Sequence, residues 1–95
     1  MNKNLKNFLQ GYLNVEVAHD DMNEVVATLR TMTPEFRQDL KEAFADLLAK
    51  KYLTVNDYFE LTLYAFDSEG LMYDYLSKVY AFLYEGLEHQ PYLPD

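Results

Sequence analysis

The chain has 95 residues, which predicts a single domain over residues 1–95, and it contains no cysteine. Disulfide and thiolate chemistry are therefore excluded, and a reducing, cytoplasmic location is expected. The formal net charge of −8 disfavours binding to nucleic acid or to an anionic membrane, because both carry negative charge.

Two helices are predicted in the first third of the chain, because apolar residues recur there three and four positions apart. The first covers residues 4–14, with Asn4 as its expected N-cap. The second covers residues 21–32, where Asp21 and Glu24, three positions apart, resemble a capping box.

A third helix is predicted over residues 33–51. Thr33 is a capping residue, and Pro34 suits the first helical position, where no backbone N–H is needed. Lys50 and Lys51 suit the negative end of the helix dipole. The buried face is expected to contain Phe36, Leu40, Ala43, Phe44, Leu47 and Leu48.

The last two helices complete an all-α pattern. The fourth is predicted over residues 54–66, where Thr54 is the expected cap and Asp57 follows three positions later. The fifth is predicted to start at Ser68, and its core line holds Met72, Leu76, Val79 and Leu83. Five amphipathic helices with short connections predict an all-α fold, a compact single-domain bundle.

The negative charge is concentrated in the second half of the sequence. Residues 1–53 carry seven Lys and Arg against eight Asp and Glu, a net charge of −1. Residues 54–95 carry one Lys against eight Asp and Glu, a net charge of −7, together with seven of the nine tyrosines. This combination indicates a surface for a basic partner, whereas an acidic surface that only keeps the protein in solution is the alternative.

Tyrosines edged by carboxylates are expected on two consecutive helices. Asp57, Glu60 and Tyr64 recur at i, i+3 and i+7, on a face opposite the set Phe59, Thr62 and Phe66. Tyrosine provides large contact area at low entropic cost, and carboxylates around it would attract a basic protein. Tyr75 and Tyr80 are expected to pack within the bundle. The predicted partner-binding residues are Asp57, Glu60, Tyr64, Asp67, Tyr73, Asp74, Tyr84, Glu85 and Glu88.

No catalytic, cofactor or metal site is indicated by the sequence, and we expect a protein that is not an enzyme. The two histidines, His19 and His89, lie near opposite ends of the chain, and no cysteine completes a metal set. Asp20 and Asp21 are better explained by the start of a helix. A glycine-rich phosphate loop and a calcium-loop spacing are both absent from the sequence.

The stretch "FLQGYLNVEV", residues 8–17, resembles the opening of a helical family of immunity proteins from contact-dependent growth inhibition systems. That family carries a pattern similar to "FLxGYFxxDW" before about four amphipathic helices. Phe8, Leu9, Gly11 and Tyr12 match the pattern. Its second aromatic, aspartate and tryptophan are replaced by Leu13, Glu16 and Val17.

The resemblance implies a protein that binds and neutralises the toxin domain of a delivered effector. Many such toxins are nucleases, whose basic clefts would suit an acidic partner surface. The free protein is expected to be a monomer or a weak dimer. The alternatives are an acidic nucleic-acid mimic that inhibits a DNA-binding enzyme, of the antirestriction or anti-CRISPR type, and a helical adaptor module.

Overall fold

The computed structural model describes residues 1–17 and 20–94, and this part of the chain contains five α-helices and no β-strand. The predicted all-α bundle is confirmed. The helices are α1 Lys3–Tyr12, α2 Met22–Arg30, α3 Pro34–Lys50, α4 Val55–Thr62 and α5 Glu69–Tyr84. His19, considered above as a metal ligand, lies outside the described residues.

Polar side chains fix the starts of the helices at most of the predicted positions. Thr33 Oγ1 accepts a hydrogen bond from the backbone N–H of Phe36 at 3.1 Å. Ser68 Oγ accepts one from Leu71 at 3.2 Å, and Asp21 caps α2 in the same manner. Each bond satisfies a backbone donor that has no partner within its helix, so these three capping predictions are confirmed.

The predicted cap of α1 is wrong, because the helix begins one residue before Asn4. Asn2 is the cap, and its Oδ1 accepts a hydrogen bond from the backbone N–H of Leu5 at 3.0 Å. The side-chain amide of Asn4 instead donates to Asp39 Oδ2 at 2.8 Å. Asparagine is a good cap in either position, so the sequence alone did not distinguish the two.

Helix α3 packs on both α1 and α5, and α1 also packs on α4. The side chains of Leu40, Phe44 and Leu47 on α3 are fully buried. The Phe44 ring contacts both neighbouring helices, with ring centroids 6.1 Å from Phe8 and 5.5 Å from Tyr80. The core line predicted for α5 joins this core through the buried residues Met72, Leu76 and Val79.

Helix α4 ends at Thr62, four residues before the end of the predicted segment 54–66. Leu63 has a left-handed backbone conformation with φ of 66°, and its N–H donates to the Phe59 carbonyl at 2.8 Å. A left-handed residue at this position closes a helix. Tyr64 therefore lies beyond the helix, and the i+7 relation that placed it on the outward face does not hold.

The segment after α5 folds back on the bundle. Gln90 Oε1 accepts a hydrogen bond from the backbone N–H of Met22 at 2.8 Å, and Gln90 Nε2 donates to the Asp20 carbonyl at 3.0 Å. Leu93 is buried three residues later. These contacts fix the segment over the start of α2.

We expect Leu76→Ala to lower the free energy of unfolding by roughly 2–5 kcal/mol, because it leaves a cavity at a fully buried site. Leu71→Ala is the matched control on the same helix, since Leu71 is 45% exposed and should cost less than about 0.5 kcal/mol. Urea unfolding of both variants measures the difference. Similar losses in the two variants would contradict this description of the core.

Candidate protein-binding surface

Tyr73 is a core residue, which corrects its expected position at the surface. Its side chain is buried, and its hydroxyl donates to the Leu53 carbonyl at 2.6 Å. The same hydroxyl accepts a hydrogen bond from the Leu53 backbone N–H at 3.0 Å. Tyr73 therefore holds the connection between α3 and α4, and it cannot be a direct contact for a partner in this conformation.

Tyr64 is half-buried and belongs to a second aromatic group. Its ring lies edge-on to Phe66 at 4.7 Å, and Phe66 in turn contacts Tyr58 and Tyr75. The Tyr64 hydroxyl donates to the Pro94 carbonyl at 2.5 Å. Tyr64 thus fastens the C-terminal segment, and the predicted stripe with Asp57 is not continuous.

Tyr84 is half-buried, and positively charged side chains lie beside it. It does not lie within the rim of carboxylates that was predicted to surround it. Its ring centroid lies 4.9 Å from that of Tyr80 and 5.6 Å from Lys41 Nζ. Burial, and then the neighbouring Tyr80, raise the pKa of Tyr84 to about 12. Arg30 and Arg37 line the same cavity as Tyr84, and no Asp or Glu does.

The predicted carboxylates have different environments. Asp57 and Thr54 form the predicted capping box, with both reciprocal hydrogen bonds at 3.0 Å. The hydrogen bond from the Thr54 backbone N–H, and then the Thr54 side chain, lower the pKa of the Asp57 carboxyl. Asp74 pairs with Lys78 at 3.0 Å. The remaining predicted carboxylates are exposed: Glu60, Asp67, Glu85 and Glu88.

An exposed apolar pair lies at the end of α4, although Phe59 was predicted to face inward. Phe59 and Leu63, one helical turn apart, are 42% and 55% exposed. The buried residues of α4 are Tyr58 and Thr62. Thr62 thus faces inward as predicted, whereas Tyr58 takes the inward position that was predicted for Phe59. The prediction for Phe59 is wrong, because a run of apolar residues does not reveal which of two adjacent positions is buried. We call Asn56, Phe59, Glu60 and Leu63 the outer face of α4.

A second acidic surface was missed because it lies in the half of the sequence whose charges nearly cancel. Asp39, Glu42 and Asp46 on α3 line a concave region of about 640 Å³, which Met1 and Tyr52 also line. Burial, and then the Asp46 carboxylate, raise the pKa of Tyr52. The i, i+3, i+7 spacing of the three carboxylates could have indicated this surface.

No family model, curated protein or solved structure matches this chain. The resemblance of residues 8–17 to immunity proteins therefore stays a hypothesis. Within residues 1–17 and 20–94, no three His, Cys, Asp or Glu side chains are grouped so that they could hold a metal ion. No helix in that part of the chain combines the length and the apolar composition that a membrane crossing requires.

We expect Tyr73→Phe to lower the free energy of unfolding by about 1–3 kcal/mol, because it leaves a buried N–H and a buried C=O of Leu53 without their partner. Tyr92→Phe is the matched control, since Tyr92 is 66% exposed and should be nearly neutral. Chemical unfolding followed by circular dichroism compares them. Equal stability of the two variants would show that the Tyr73 hydroxyl does not hold the loop.

Proposed function

We propose that this protein is an immunity protein of a contact-dependent growth inhibition system. In this proposal it binds a basic toxin domain in the cytoplasm, of the nuclease class, and neutralises it by binding and without catalysis. The observation that carries the proposal is the exposed pair Phe59 and Leu63 on the outer face of α4, within the acidic half of the chain. The resemblance of residues 8–17 supports a toxin as the partner.

Leu63 supports a binding role because it stands where glycine is the usual residue. Its φ of 66° is left-handed, a conformation that costs an L-amino acid roughly 1–2 kcal/mol. Its side chain is 55% exposed, so packing within the bundle offsets little of that cost. The exposed Leu63 side chain is therefore available for contact with a partner.

The chemistry around the pair fits a basic protein. Phe59 supplies an aromatic anchor that a partner can bury, and buried anchors carry most of the energy in protein interfaces. Glu60 is exposed beside it on α4, and the segment from residue 54 onward carries a net charge of −7. That charge would speed association with a basic domain over long range.

The direct test uses the protein encoded immediately upstream, whose C-terminal domain is produced together with this chain. We expect a complex of nanomolar or tighter affinity with an interface of roughly 1,200–2,000 Å² in total. Association should slow as salt rises, because screening shortens electrostatic steering. The proposal is wrong if the two proteins do not co-purify and this chain does not relieve the growth arrest that the domain causes.

Leu63→Gly separates binding from stability, because we expect the two to change in opposite directions. Glycine relieves the left-handed strain and should raise the free energy of unfolding of the free protein by up to about 1 kcal/mol. The gain is smaller than the full strain because glycine also gives the unfolded chain more conformational freedom. Loss of the side chain should weaken toxin binding at least tenfold, about 1.4 kcal/mol, mainly through faster dissociation.

Lys51→Gly is the matched control, because Lys51 is the other non-glycine residue with positive φ among the described residues, at 52°. It should stabilise the free protein less than Leu63→Gly, because it also removes the Lys51 ammonium, 6.0 Å from the Tyr73 ring, from the C-terminal end of α3. It should leave dissociation of the complex unchanged. Surface plasmon resonance and thermal unfolding of both variants give the comparison. If Leu63→Gly binds as tightly as the parent protein, the outer face of α4 is not the contact surface.

A further inference from the structure

A cavity of about 410 Å³ lies between α2, α3 and the end of α5. Its apolar wall consists of Val26, Leu29, Leu40 and Leu83. The volume falls within the range of roughly 300–1,000 Å³ that is typical of small-molecule sites. At about 30 Å³ per non-hydrogen atom, the volume of a liquid water molecule, it has room for on the order of a dozen such atoms.

Positive charge surrounds this apolar wall. Arg30, Arg37 and Lys41 line the cavity, and no Asp or Glu does. They are three of the eight Lys and Arg residues in a chain of net charge −8, so the local sign is opposite to that of the whole molecule. Among the described residues, the ion pairs are made by Lys50 and Lys78, and none of the three cavity cations takes part in one.

An aromatic wall positions one of these cations. Lys41 Nζ lies 5.6 Å from the centre of the Tyr84 ring, within the range of a cation–π contact. The ring itself is held by Tyr80 at 4.9 Å. Since burial raises the pKa of Tyr84 to about 12, its hydroxyl stays neutral at physiological pH and adds no negative charge to the cavity.

We propose that this cavity is a binding site for a medium-chain organic carboxylate. Its carboxylate would contact Arg30, Arg37 and Lys41, and its hydrocarbon chain would lie on the valine and leucine wall. Guanidinium groups bind carboxylates in a bidentate geometry, which favours this headgroup. The apolar wall favours a ligand with a hydrocarbon body over an inorganic anion such as phosphate, which would leave that wall in water.

Decanoate is the probe, because its size suits the cavity, and isothermal titration calorimetry measures its binding to the full chain. We expect saturable binding at one site, and at least tenfold weaker binding of inorganic phosphate, which lacks the chain, and of decan-1-ol, which lacks the charge. Absence of decanoate binding would overturn the proposal. Equal affinity for decanoate and decan-1-ol would overturn the role assigned to the cations.

A pair of double variants with the same change in net charge localises the site. Arg37→Gln/Lys41→Gln should weaken decanoate binding at least about tenfold, because it removes charge-assisted hydrogen bonds. Lys3→Gln/Lys6→Gln, on α1 and away from the cavity lining, should leave the affinity within about twofold. All four positions are exposed, and thermal unfolding of each variant checks that it stays folded.

Backbone amide NMR during the same titration gives an independent readout. Signals of residues at the cavity, among them Arg37 and Leu83, should shift with decanoate, whereas those of Phe59 and Glu60 on the outer face of α4 should not. Shifts confined to other parts of the molecule, or equal weakening in the two double variants, would show that the cavity is not the site. The toxin-binding proposal is unaffected by either result, since it concerns a different surface.

Discussion

Phe44 makes the contact on which the rest of the bundle depends. Its ring is fully buried on α3 and packs near both Phe8 of α1 and Tyr80 of α5. Aromatic rings combine a large apolar area with a directional edge contact, so one residue fixes two helices relative to a third. The row continues from Tyr80 to Tyr84, which extends the packing from the core to the cationic cavity.

Local signals predicted the helices well, because a cap is encoded within a few neighbouring residues. Thr33, Thr54 and Ser68 each cap a helix where the sequence indicated. The roles of the tyrosines were predicted less well, because their burial depends on segments that are distant in sequence. Tyr73 lies off the core line by periodicity, but the loop that carries Leu53 covers it and supplies both partners of its hydroxyl.

The candidate surface was predicted only in part, for a similar reason. The net charge of a segment gives the sign of its own side chains. It does not show which charged side chains of other segments lie beside them in the fold. Tyr84 lies in the acidic half of the sequence, yet α2 and α3 place Arg30, Arg37 and Lys41 around it. The fold thus brings three cations together around one cavity, which the overall charge of −8 conceals.

Helix α4 has only eight residues, and an isolated helix of that length is not stable in water. Its two ends are therefore held from outside. The Tyr73 hydroxyl binds both polar groups of Leu53 before the helix, and the Thr62 carbonyl accepts the Val15 N–H at 2.8 Å at its end. Fixing both ends orders the outer face before any partner arrives, which lowers the entropic cost of association. Tyr73 is a core residue, and it thus acts on the proposed interface only indirectly. It fixes the position of α4, the helix on which that interface lies.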